Sequence, residues 1–263
     1  MIWLVQLVFD CADPDALARF WGRALGYRNS LVDASTDEIA AFRVEHPQFD
    51  GRGRIDDLDL RRPPVYIQQV PETKHARNRI RLDLVAAERE QTIRRLLDLG
   101  ATPTEAGGFA DVEGNEFTLS ENPTAREVRL GAIVMDALDP ARLLEFWSSA
   151  TGYIADGPRL RCEAPARDLR WEGDHFELEG RRLRHTCGMG ADAGAARFDL
   201  VPGLQFVLAD EPKSLKNRVH VDLNSDDVEF DRERLVGLGA TVLRWDTDQV
   251  LADPEGNEFC LSG

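Results

Sequence analysis

The apolar, β-branched run Ile2–Phe9 reads as a strand. Asp13-Pro14 follows it, with a side chain suited to cap a helix and a proline suited to its first position. Leu17, Phe20, Trp21, Ala24 and Leu25 then recur at helical spacing, and Gly26 supplies the stop. Ile39–Val44 and Val65–Val70 read as further strands. The pattern then restarts with a strand over Arg79–Val85, a helix over Ala87–Leu99 closed by Gly100, and strands near Phe109–Val112 and Asn115–Leu119. The repeating unit is therefore β-α-β-β-β, used twice by residue 122.

The same pattern returns downstream. Phe20-Trp21 recurs 126 residues later as Phe146-Trp147, and Leu25-Gly26-Tyr27 recurs as Thr151-Gly152-Tyr153 at the same offset. Asn78-Arg79 recurs as Asn217-Arg218, and Leu99-Gly100-Ala101-Thr102 as Leu238-Gly239-Ala240-Thr241, both 139 residues on. Glu113-Gly114-Asn115-Glu116-Phe117 recurs as Glu255-Gly256-Asn257-Glu258-Phe259. Matched segments in one order identify two fused copies of one module. The first spans 1–122 and the second 127–263, with the break near Asn122-Pro123-Thr124. The offset widens between the second and third matches, which places an insertion around 167–202, rich in Gly and Arg and expected to form a longer loop or hairpin. In the second copy, strands fall at Leu130–Met135, Arg218–Leu223, Val250–Ala252 and Glu258–Leu261. Helices follow Asp139-Pro140 and span Asp227–Leu238. Helical spacing makes both Phe-Trp pairs core residues rather than a stacking platform.

Composition narrows the function classes. Of 263 residues, 43% are hydrophobic, enough for a globular core. A net charge of −15 opposes a nucleic-acid partner. No stretch approaches the roughly 20 apolar residues of a spanning helix, so no membrane partner is expected. Cys11, Cys162, Cys187 and Cys260 form no C-x-x-C pair, and Met1-Ile2-Trp3-Leu4 lacks a basic leader. The expectation is reduced thiols in a soluble, cytoplasmic protein.

A strand, then Asp-Pro, then a helix ending Phe-Trp before Gly-Tyr resembles the opening of the vicinal oxygen chelate superfamily. Asp253-Pro254-Glu255-Gly256-Asn257-Glu258-Phe259-Cys260 resembles the last hairpin of its glyoxalase-like branch, and Lys216–Leu223 its central strand. The first copy departs from the closing motif in having Val112 where the second has Pro254. The resemblance implies an α+β fold of tandem glyoxalase-like modules, each with two βαβββ units forming an open half-barrel around a concave cleft. Members include glyoxalase I, extradiol dioxygenases, epimerases and fosfomycin-modifying enzymes, which use a divalent metal. Bleomycin-type resistance proteins bind a drug without chemistry.

The resemblance also points to four strand positions for metal ligands. In the first copy these hold Gln6, Gln68, Arg81 and Thr118; in the second Ala132, Val207, His220 and Cys260. Arg81 cannot ligate a metal, and the second set has no carboxylate. Because family sites also form across modules, the crossed set Gln6, Gln68, His220 and Cys260 is the best metal candidate. The opposite crossing, Ala132, Val207, Arg81 and Thr118, binds nothing divalent. The expectation is a cleft without a metal cofactor, a divalent ion remaining the alternative. Arg81 would either clamp an anionic group or pair with Asp83 or another acid. His220 and Cys260 would form either a thiolate–imidazolium pair or a buried thiol beside a satisfied histidine. Asp174-His175 with Glu177 is a second, weaker metal-like group, and His46, His75 and His185 lie in polar surroundings. The favoured reading is metal-free binding of a small molecule, of the sequestration type. The alternative is a lyase, isomerase or dioxygenase, metal-free or with an unconventional site using His220 and Cys260. A cationic ligand would suit the charge, Arg81 an anionic group on it. Fusion of two copies favours a monomer over a homodimer.

Overall fold

The computed structural model describes residues 2–27, 53–55, 62–161, 168–172, 175–178, 181–184, 195–197, 201–245 and 249–263. The first unit comprises β1 (Ile2–Cys11), α1 (Pro14–Leu25), β2 (Gly53–Ile55) and β3 (Val65–Gln69). The second comprises β4 (Ile80–Ala86), α2 (Arg89–Asp98), β5 (Thr102–Pro103), β6 (Phe109–Ala110) and β7 (Glu116–Glu121). The third opens with β8 (Arg129–Ala137), α3 (Pro140–Thr151), β9 (Ile154–Asp156) and β10 (Arg159–Arg161). It continues through β11 (Asp168–Glu172), β12 (His175–Leu178), β13 (Arg181–Arg184) and β14 (Ala195–Arg197) to β15 (Gly203–Leu208). The fourth comprises β16 (Val219–Ser225), α4 (Val228–Gly237), β17 (Thr241–Trp245), β18 (Gln249–Ala252) and β19 (Glu258–Ser262).

Capping sets the helix starts. The Asp13 side chain accepts from Ala16 N at 3.0 Å, and Asp139 from Arg142 N at 3.1 Å. Gly26 and Gly152 end α1 and α3 with φ of 68° and 72°, the left-handed conformation that a side chain disfavours.

The units associate crosswise. A seven-stranded sheet runs β17-β18-β19-β16-β1-β3-β2, joining the first unit to the fourth; an eight-stranded sheet runs β5-β6-β7-β4-β8-β15-β10-β9, joining the second to the third. β1 pairs antiparallel with β16, and β4 with β8. Each sheet thus draws on both copies, and residues separated by more than 200 positions share one face. Each copy is held together instead through its helix. Trp21 on α1 packs on Phe117 of β7 with centroids 5.4 Å apart, and Trp147 on α3 packs on Phe259 at 5.3 Å. Both indoles are 1% exposed, so the Phe-Trp pairs are core, as their spacing predicts.

The repeated hairpin motif has a structural job. Trp21 Nε1 donates to Asp111 Oδ2 at 2.8 Å and Trp147 Nε1 to Asp253 Oδ2 at 3.2 Å. Each aspartate also accepts from its own turn, from Glu113 N and Asn115 N in one copy and from Glu255 N and Asn257 N in the other. Burial raises the pKa of both carboxyls, and these hydrogen bonds only partly offset it. Glu113 and Glu255 cap outward, accepting from Ala12 N and Asp13 N, and from Leu138 N and Asp139 N.

Several short strands, among them β2, β5, β9, β10 and β17, have no counterpart in the sequence expectation. β5 and β17 are exposed on both faces for nearly all their length, so they carry no apolar alternation to read. The insertion contains a small sheet, β13-β12-β11-β14, where a loop or hairpin was expected. The expected strand Ile39–Val44 lies outside the described residues. So do His46, Cys162, Asp174, His185 and Cys187, with the side chains of His175 and Glu177.

Candidate metal centre in the crossed cleft

Strand alternation builds the site. On β16, Val219, Val221 and Leu223 are buried in the core while His220 and Asp222 are partly exposed on the opposite face. On β19, Phe259 and Leu261 face the core and Cys260 turns the other way. Register then aligns Gln6 with Asp222, Val8 with His220, and Asp222 with Cys260. Gln6, Asp222 and Cys260 consequently form one row across three strands, with His220 one step along.

The side chains converge. His220 Nε2 lies 3.6 Å from Asp222 Oδ1, and one donor atom each from His220, Asp222 and Cys260 fall within 4.8 Å of one another. Gln6 Nε2 donates to Asp222 Oδ2 at 2.6 Å. Asp222 Oδ1 is buried and has no hydrogen-bond partner. A buried carboxylate oxygen without a donor is costly unless something cationic faces it.

Asp222 corrects the sequence expectation that this set lacks a carboxylate. It stands two residues after His220, outside the four positions carried over by resemblance, and the alternation of Val219-His220-Val221-Asp222-Leu223 was the signal that could have found it. Gln68 does not join the row. It is in register with Asp10 on β1, four residues along the strand from Gln6, while Tyr66 is the β3 residue opposite Val8. Among the described residues Cys11 and Cys260 form no disulfide.

The fold family implies a divalent metal, so the donor set must be tested against one. Ligands about 2.0–2.3 Å from a tetrahedral ion lie roughly 3–4 Å from one another, which the 3.6 Å His220–Asp222 separation meets. Imidazole, carboxylate and thiolate together suit a borderline ion such as zinc. Three protein ligands leave an open position, as catalytic sites do. The residues fit, so the divalent ion kept as the alternative to a cleft without a metal cofactor has a donor set that could hold it.

The other cleft is chemically different. Arg81 Nη2 pairs with Asp136 Oδ1 at 2.5 Å rather than with Asp83. Burial lowers the Arg81 pKa, against the pull of Asp136. Asp83 occupies the place equivalent to Asp222, but Thr118 Oγ1 donates to it at 2.8 Å and Ser120 Oγ at 3.0 Å. Ala132 lies opposite Asp83, and Val207 opposite Asp136. Arg81 and Thr118 therefore serve internal pairing, and this cleft offers no grouping of His, Cys and acid among the described residues.

Cys11 is a separate case. It is fully buried, its Sγ faces Gln68 O at 3.6 Å, and its pKa is pushed up to about 12, chiefly by burial and then by Glu113. Thiolate is the species that alkylates. Iodoacetamide at pH 8 is expected to leave Cys11 unmodified in the native chain while labelling Cys260, with added zinc suppressing the Cys260 label. Peptide mass mapping checks this, and rapid native labelling of Cys11 would contradict it.

The crossed sheets agree with the vicinal oxygen chelate fold that the motifs resemble, and the chain belongs to the glyoxalase-like domain family: the profile of that domain matches residues 6–120 and again 132–262. Among solved structures, glyoxalase I from Zea mays is similar over 100% of this chain and 92% of its own, at 12% identity and a TM-score of 0.56. A dioxygenase, so described provisionally, from Bacillus subtilis is similar over 98% of this chain and 84% of its own, at 12% identity and a TM-score of 0.50. At such identities the likeness is one of fold. No curated protein matches the chain in sequence. Among the described residues no helix is long and apolar enough to cross a membrane.

Proposed function

We propose that this chain is a glyoxalase-like enzyme acting on a small organic molecule at a single divalent metal centre, held by His220, Asp222 and Cys260 in the cleft between the first and fourth units. The observation that carries this reading is the convergence of one donor atom each from His220, Asp222 and Cys260, with the buried Asp222 Oδ1 lacking a hydrogen bond and facing His220 Nε2 at 3.6 Å. A bound ion would supply Lewis-acid polarisation of substrate oxygens at its open position. Gln6 holds the Asp222 carboxylate by one oxygen, which keeps the other turned toward His220. The crossed sheet places His220, Asp222 and Cys260 on one face of neighbouring strands, a rigid mount for such a centre.

A second reading is capture of a small molecule without metal or chemistry. It is favoured by the Gln6–Asp222 hydrogen bond, which already gives the carboxylate one partner. Metal content separates the two. Plasma mass spectrometry of the purified protein is expected to find about one divalent ion per chain, absent from His220→Ala. A metal-free protein that also fails to take up zinc, cobalt or iron(II) on dialysis would leave the capture reading in its place.

A further inference from the structure

A cavity of about 670 Å³ opens between the segment 70–79 of the first copy and 207–218 of the second. Gln6, His220, Asp222 and Cys260 do not line it, so it is distinct from the proposed metal centre. Its walls are cross-braced by two equivalent arginines. Arg79 Nη1 donates to Glu211 O on the opposite segment, and Arg218 Nη1 donates back to Glu72 O at 2.6 Å. The cavity is therefore built in advance of any occupant, and its volume falls within the ordinary range for small-molecule sites, about 300–1,000 Å³.

The lining is amphipathic in a directional way. On the second copy's side stand Leu208 and Leu215, 70% and 55% exposed, among the most exposed large apolar residues described. The equivalent positions of the first copy hold Gln69 and Ala76, so the apolar wall is a property of one side only. Cations complete the lining. Asp136 is shared by two guanidinium groups, Arg81 at 2.5 Å and Arg77 at 3.6 Å, which leaves one positive charge in excess of that carboxylate. Arg77 is the looser partner, its side chain 60% exposed against 15% for Arg81. Lys216, at the equivalent place on the other wall, pairs with Asp10 at 2.5 Å and keeps 62% of its side chain exposed. The acids Glu72, Asp210 and Glu211 are exposed at the rim.

We infer that this cavity is a second ligand site, for an organic acid with an apolar body, whose carboxylate engages Arg77 while its alkyl or aromatic part covers Leu208 and Leu215. A guanidinium offers a carboxylate a two-point hydrogen bond. Asp136 retains Arg81 when Arg77 turns to the ligand, so no buried acid is left alone. Covering exposed leucine surface supplies affinity that the charge alone would not.

Isothermal titration calorimetry with octanoate, below its micelle concentration, tests the site on the full chain. One octanoate per chain is expected, with octyltrimethylammonium giving no binding. Arg77→Glu is expected to weaken octanoate at least about tenfold, and Leu208→Ser severalfold. Both positions are exposed, and unchanged circular dichroism would establish that the variants remain folded. Asp222→Ala should bind octanoate as the wild type does, so failure of the metal centre would leave this site untouched. Absence of octanoate binding, equal binding of the ammonium probe, or an unchanged affinity in Arg77→Glu would each overturn the inference.

Discussion

Asp222→Ala is expected to lower zinc affinity about a hundredfold or more, measured by competition with a chromophoric chelator. The residue contributes a charged donor whose Oδ1 has no hydrogen-bond partner, and disturbing even the residues that merely orient ligands commonly costs 10–100-fold. Gln6→Leu is accordingly expected to lie between wild type and Asp222→Ala, since it removes the 2.6 Å hydrogen bond that orients the carboxylate but no proposed ligand. Asp83→Ala is the internal control. Asp83 is the equivalent residue of the other cleft, yet two hydroxyl groups hold it, and its loss should leave zinc affinity unchanged. Equal losses in Asp83→Ala and Asp222→Ala would mean that folding, not ligation, is being read.

Trp147→Ala is expected to destabilise the chain by about 3–5 kcal/mol, the usual cost of emptying a buried aromatic site. The indole is 1% exposed and packs on Phe146 and Phe259 with centroids 5.5 and 5.3 Å away. Its removal also takes a donor from the buried Asp253 carboxylate. At roughly 2–4 °C per kcal/mol for a protein of this size, the melting temperature should fall by about 6–20 °C, read by calorimetry. Trp147→Phe should cost clearly less, because it keeps an aromatic ring and loses the N–H. A melting temperature unchanged in Trp147→Ala would contradict the placement of α3 over the core.

Much of the fold was legible because it is written twice. Asp13-Pro14 and Asp139-Pro140 announce the same capped helix, and the glycine at residue 114 or 256 marks the same turn, with φ of 81° and 84°. The crossed association of units is harder to read, because strand patterns give the face of each residue but not the neighbour of each strand. Resemblance raised the crossing as an arrangement to check, and register showed that it occurs. At the site, resemblance supplied His220 and Cys260 but directed attention to four fixed positions and so passed over Asp222. Alternation alone would have put Asp222 beside His220. Gln68 illustrates the opposite failure: its residue type suited the role, and only the β1–β3 register shows that it sits four residues away along the strand. The pairing of Arg81 with Asp136 rather than Asp83 likewise depends on which strand lies next to β4, since both acids are close in pattern and only one is left by the hydroxyls of Thr118 and Ser120.

X-ray absorption at the zinc edge of the reconstituted protein reads the ligands of the proposed centre. One sulfur scatterer is expected at about 2.3 Å, from Cys260, and nitrogen or oxygen scatterers at about 2.0–2.1 Å, with the sulfur shell lost in Cys260→Ser. A shell of oxygen and nitrogen alone, or a sulfur shell that survives Cys260→Ser, would contradict it.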